Sequence, residues 1–131
     1  MTFSFARSTC FALVGCTIGL LAACKVSYTE SADKYGAVAL SVSTTKYGAV
    51  IDRASQEQAS KDATASCGQP DCATNVFWFK NGCLGLAQGV RRMWVSRAAP
   101  TRETAEAFAL AACAENNDTN CKTAATYCTT Q

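Results

Sequence analysis

The chain has 131 residues, a formal charge of +2 and no histidine, which leaves room for one domain beside a targeting segment. A near-neutral balance lacks the basic footprint of a nucleic-acid binder, and without imidazole no Ser–His or Cys–His nucleophilic pair can be built within the chain. The hydrophobic fraction of 49% is rich in alanine and cysteine; at about 25 cal/mol per Å² of buried apolar surface, such a domain needs covalent staples.

Residues 1–23 read as a lipoprotein signal peptide. Arg7 is their single charge, and an apolar run follows from Cys10 to Ala23, shorter than the roughly 20 residues that span a bilayer. Leu21-Ala22-Ala23-Cys24 resembles a bacterial lipobox, which implies a diacylglyceryl thioether on Cys24, cleavage before it and acylation (a palmitate-type chain) of the new amine. The other readings are an ordinary signal peptide cut at a nearby small residue, and a lipobox at Leu13–Cys16, which leaves too short an apolar run before it. Lys25 stands where an Asp often retains lipoproteins at the inner membrane, so the expected site is the outer membrane of the cell envelope, facing the periplasm. Residues 24–33 are then a lipidated polar tether, and residues 34–131 a single domain.

Nine cysteines are present. Cys10 and Cys16 leave with the leader and Cys24 is committed to lipid, so Cys67, Cys72, Cys83, Cys113, Cys121 and Cys128 remain. An even set in an exported chain reads as three disulfides, with fifteen pairings open by parity. With no histidine and no C-x-x-C, a metal site is not expected, and no other cofactor is indicated.

The first predicted strands carry an echo: KYGAV at Lys34–Val38 and again at Lys46–Val50. The β-branched and aromatic flanks around Ser41–Thr45 predict one hairpin, with Tyr35 opposite Val50 and Val38 opposite Tyr47 in favourable cross-strand pairs. The glycine beside each tyrosine is expected to leave room for its ring.

A longer repeat follows. Ser55–Cys67 overlays Thr101–Cys113: Ser55 and Thr101 as helix N-caps, Gln58 completing a capping box, and Ala59, Ala63, Cys67 recurring as Ala105, Ala109, Cys113 at i, i+4, i+8. Phe108 and Ala112 widen the second stripe. Strands are predicted within Cys72–Lys80 and Cys121–Cys128 after the helices. A second hairpin, Cys83–Gln88 and Met93–Ser96, turns at Gly89–Arg92, and Pro100 closes it. Each half reads strand, strand, helix, strand. The expected fold class is α+β: a mainly antiparallel sheet with both helices on one face, stabilised by disulfides.

From about Tyr35 to Cys128 the chain resembles the bacterial domain-of-unknown-function family 4189. The resemblance rests on Tyr35-Gly36-Ala37-Val38-Ala39, the alanine helix ending at Cys67, and Cys72 leading to Val76-Phe77-Trp78-Phe79-Lys80-Asn81-Gly82-Cys83. It continues through Ala87-Gln88-Gly89, Thr101–Ala107 and Ala111-Ala112-Cys113. It supports the architecture and leaves activity open. Equivalent halves give Cys67–Cys72 and Cys113–Cys121 as matching clips, with Cys83–Cys128 left to join the second half to the chain's end.

Candidate chemistry is sparse. Glu57, Glu103 and Glu106 sit near predicted helix starts, where they suit the macrodipole. Asp71 and Asp118 lie in turn-forming loops. Strand alternation sends Phe77 and Phe79 to one face, expected to be core beneath the helices, and leaves Trp78 on an open face. Trp78 and Trp94, with Arg91, Arg92, Arg97 and Arg102 nearby in sequence, are the candidate binding residues for an anionic partner. Two functional classes result. The first is a non-enzymatic envelope-anchored binding module with a protein or envelope-polymer partner and no nucleic acid. The second is a periplasmic hydrolase that uses carboxylates on an envelope polymer.

Overall fold

Helices form where alanine recurs every fourth residue. The computed structural model describes residues 32–130; the leader, Cys24 and the tether through Ser31 lie outside the described residues. Helix α1 (Gln56–Cys67) starts at Ser55, whose hydroxyl accepts the Gln58 N–H at 3.2 Å, and ends at left-handed Gly68. Helix α2 (Arg102–Glu115) starts the same way, with Thr101 accepting the Thr104 N–H at 3.2 Å. Both alanine stripes, ending in Cys67 and Cys113, are buried. Neither helix is long and apolar enough to cross a membrane.

Six strands complete the two halves: β1 (Tyr35–Leu40), β2 (Tyr47–Arg53), β3 (Val76–Lys80), β4 (Cys83–Gln88), β5 (Met93–Val95) and β6 (Lys122–Cys128). The halves run β1-β2-α1-β3 and β4-β5-α2-β6, in the α+β class that the repeat predicts. The sheet itself divides. Each half holds its own antiparallel sheet, ordered β2-β1-β3 and β5-β4-β6.

Each helix packs on its own sheet. Ala37 and Ala39 of β1 meet Ala59, Ala63 and Cys67 of α1, and Ala87 of β4 meets Ala109 and Cys113 of α2. The opposite faces of both sheets share one core, in which Val38, Leu40 and Phe79 meet Leu84, Leu86 and Met93. Helices therefore lie outside and two sheets lie face to face between them. Among the described residues, no open sheet face remains to serve as a platform.

The first hairpin forms two residues out of the expected register. Leu40 faces Tyr47 and Ala37 faces Val50, with a bulge between Tyr35 and Ala37. A shift of two preserves which face each side chain occupies, so the core pattern survives. The glycines serve other neighbours than the tyrosines. A Cβ on Gly36 would lie 2.2 Å from the Phe79 ring, and one on Gly48 would lie 2.4 Å from the Ala63 carbonyl oxygen of α1.

The phenylalanine assignment also changes. Trp78 pairs with Ala37, so it stands on the helix-covered face, at the sheet edge and 47% exposed. Phe79 points into the inter-sheet core at 1% exposure, whereas Phe77 on that same face is 39% exposed. Burial of Phe77 was the expectation; it lies on an edge strand, where the second sheet does not reach over it.

Disulfides join Cys67 to Cys72, Cys83 to Cys128 and Cys113 to Cys121. The two clips tie each helix end to the segment after it, and the third ties β4 to β6, where Cys83 and Cys128 are register partners.

Two consequences can be measured by denaturation of the oxidised protein. Phe79→Ala should cost about 3–5 kcal/mol by leaving a core cavity, and Phe77→Ala and Trp78→Ala distinctly less. Opening Cys83–Cys128 should cost about 4 kcal/mol, against roughly 2 to 3 kcal/mol for either local clip, on loop-closure entropy.

Candidate functional site

The two seams between the sheets differ. On one side, β2 meets β6: the Tyr47 and Tyr127 rings meet edge-on at 6.4 Å, and the Thr130 N–H bonds Asp52 at 2.8 Å. Burial, then the Tyr47 hydroxyl, pushes the Tyr127 phenol above its ordinary value. On the other side, β3 and β5 leave a groove of about 270 Å³, lined by Leu40, Val42, Asn75, Phe77 and Arg92–Val95. Val42 is half exposed on its rim.

Of the sequence-derived candidates, the groove brings together Trp94 and Arg92, and it adds Phe77, which sequence reasoning placed in the core. Trp78 stands on the opposite face of β3 and does not line it. Trp94 is held rather than free: its indole N–H donates to Asp118 Oδ2 at 2.8 Å, and the Arg92 guanidinium lies 4.0 Å over its ring, within cation–π range. Arg91 turns away from the groove and donates to the Asn116 carbonyl at 2.6 Å. Arg97 caps the Phe108 ring at 3.9 Å on α2, and Arg102 donates to the Thr126 carbonyl at 3.0 Å. The four arginines do not form one cluster.

Asp118 is the residue that sequence reasoning undervalued. Its buried carboxylate accepts the Arg91 backbone N–H at 3.1 Å and the Thr119 N–H at 2.9 Å besides the indole. It thereby ties the α2–β6 loop to the β4–β5 turn. Asp71 plays the matching part in the first half, accepting the Ser43 N–H of the β1–β2 turn at 3.1 Å. The signal was present: an acid shortly before the second cysteine of each clip. The Trp94 indole and the backbone N–H groups of Arg91, Thr119 and Arg92 hold the Asp118 carboxyl down to about 2 from an ordinary 3.8, against the opposing effect of burial. For Asp71, the Ser43 backbone N–H and the Ser41 hydroxyl act in the same direction.

Other carboxylates serve local structure. Asp62 shares a shallow cleft with Glu57 and Lys61 on α1 but is bound by Arg53 at 2.6 Å. Glu106 accepts the Thr126 hydroxyl at 3.0 Å. Among the described residues, no group of three or more acid or cysteine side chains is placed to hold a metal ion.

The architecture defined by these halves is that of a disulfide-stapled, internally duplicated α+β domain. Over residues 35–128 the chain matches the family model described as Domain of unknown function (DUF4189), and it belongs to that family. It is also similar to the NMR structure of Rv1813c from Mycobacterium tuberculosis, with a TM-score of 0.59 and 18% identity, over 93% of this chain and 99% of that one. At that identity the likeness concerns the fold. No curated protein sequence matches the chain.

Because the folded pKa of Asp118 lies below its ordinary value, its contribution to stability is fully present above about 3.8 and is lost as pH falls towards about 2. Asp118→Asn should lower stability at neutral pH and flatten the stability–pH curve in that acid window. Denaturant melts across pH in a Trp78→Phe background, where Trp94 is the remaining tryptophan and serves as the local probe, measure both.

Proposed function

We propose that this protein is an exported, lipid-anchored interaction module without catalytic machinery, held through Cys24 at the outer membrane and facing the periplasm. The observation that carries the binding role is the groove between β3 and β5, where Phe77 and Val42 expose apolar surface beside Arg92. Exposed apolar side chains around a cationic, aromatic-backed centre are the composition of interaction sites. Among the described residues no carboxylate lines the groove, which favours binding over the acid-dependent hydrolase. The lipobox at Leu21–Cys24 and the cysteine set left after cleavage support the exported location.

Photo-crosslinking in cells tests the site. A benzoylphenylalanine in place of Val42 should give a discrete adduct that the same group in place of Lys61, on the outer surface of α1, does not. Equal labelling from both positions would remove the groove from consideration. Anchoring is tested separately: Cys24→Ser should leave unprocessed precursor, and metabolic labelling with a fatty-acid analogue should lose its signal. A Cys24→Ser protein that is still cleaved at the same bond and labelled would place the lipid elsewhere.

A further inference from the structure

The free edge of β3 has a pattern that its role in the fold does not require. The Leu40 N–H bonds the Asn75 carbonyl at 3.0 Å, and the Asn81 N–H bonds the Lys34 carbonyl at 2.9 Å. With Val38 facing Phe77 and Gly36 facing Phe79, the bonds to β1 fall at every second residue. Alternation turns the N–H and C=O groups of Val76, Trp78 and Lys80 outward. Among the described residues no strand lies beyond them, because β3 ends its sheet.

Natural edges are usually blunted by charge, proline or a bulge. Lys80 is the one charge on β3, and it stands at the end, ion-paired with Asp33 at 2.6 Å. Val76-Phe77-Trp78-Phe79 has none of these protections and exposes two of its three aromatic rings. The other edges differ. β5 is three residues long between Arg92 and Arg97, and β2 and β6 meet at the tyrosine seam.

We propose that the outer edge of β3 is a docking strand for an extended segment of a partner protein that carries an acidic residue next to an apolar one. This rests on the reading of the groove as a binding site, and it names the occupant. The added strand pairs with the free groups of Val76, Trp78 and Lys80, as in other cases of strand addition. Its inward side chains fall over Phe77 and the groove. Arg92 supplies the charge preference: its guanidinium lies on Trp94, and among the described residues no carboxylate is within ion-pair distance of it. A second copy of this chain fits less well, because it would bring its own Arg92 against the same patch, and opposed like charges disfavour association.

The test is selection of displayed random heptapeptides on the purified mature protein, followed by titration of the synthesised winners. Selected peptides should alternate apolar residues and carry one Asp or Glu. Bound peptide should slow amide exchange at Val76, Trp78 and Lys80. Trp78→Pro removes an outward N–H that the ladder does not use, so the edge tolerates it while binding is lost; Trp78→Lys is a second variant with an intact backbone. Arg92→Glu should weaken binding roughly tenfold or more, and a peptide with Lys in place of its acid should recover it. No enriched sequence, or binding unchanged by both Trp78 variants, overturns the proposal. So does sedimentation that finds a dimer which Trp78→Pro dissociates, since the occupant is then a second copy. Adducts from position 42 that persist in Trp78→Pro would keep the groove as the site and remove strand addition.

Discussion

The rest of the structure depends on how closely each helix lies on its sheet. Alanine and cysteine face inward from α1 and α2, and the strands answer with residues just as small. Gly85 is placed so that a Cβ would sit 2.5 Å from the Ala105 carbonyl oxygen, and Gly48 meets the backbone of α1 in the same way. Any larger side chain on either surface would push the layers apart. Close approach has a cost: small side chains remove little apolar area from water, so these two outer interfaces stabilise weakly. The clips Cys67–Cys72 and Cys113–Cys121 stand where that weakness would show, at the helix ends. Larger side chains are reserved for the space between the sheets.

Duplication explains the pairing of features and shows where the halves have diverged. Asp71 and Asp118 each tie the loop after a helix to the hairpin turn of the same half. In the first half the carboxylate meets a turn rich in hydroxyls, with one of its oxygens, Oδ1, buried without a hydrogen-bond partner. In the second half the acid also takes the indole of Trp94. That bond fixes the ring where it packs on Ala87, Ala109 and Cys113 beneath α2, and Arg92 lies against it. The same acid thus clamps a turn and, through Trp94, bears on Arg92, the charged side chain among the described residues of the groove.

What could be read from the sequence was local. Ser55, Thr101 and the i, i+4, i+8 stripes each encode their structure within a few residues, and the equivalence of the halves was enough to pair the cysteines. The division of the sheet was not local. Nothing in Cys83-Leu84-Gly85-Leu86-Ala87-Gln88 states whether β4 pairs with β3 or turns away into a second layer, because alternation looks the same either way. The exposure of Phe77 follows from that choice, since a phenylalanine on an inward face is core or rim according to what lies opposite. The hairpin register slipped by two because the turn chemistry of Ser41–Thr45 is not distinctive. Trp94 and Asp118 came together through folding, across a separation of 24 residues.

The two seams between the sheets are equivalent by duplication and yet unlike. Tyr127 stands opposite Leu84 as Phe79 stands opposite Gly36, and Met93 stands opposite Gln88 as Tyr47 stands opposite Leu40. One seam therefore closes with two tyrosines, and the other has a methionine and a phenylalanine at the same two places. The next inward residues on the third strands are Ala125, opposite Leu86, and Phe77, opposite Val38. Alanine suffices where the seam is closed. A phenylalanine in the matching place does not close the other seam; it widens the apolar wall of the groove and leaves its ring partly in water. The duplication supplies its own control, and by that comparison the aromatic surface of β3 exceeds what this fold needs to close.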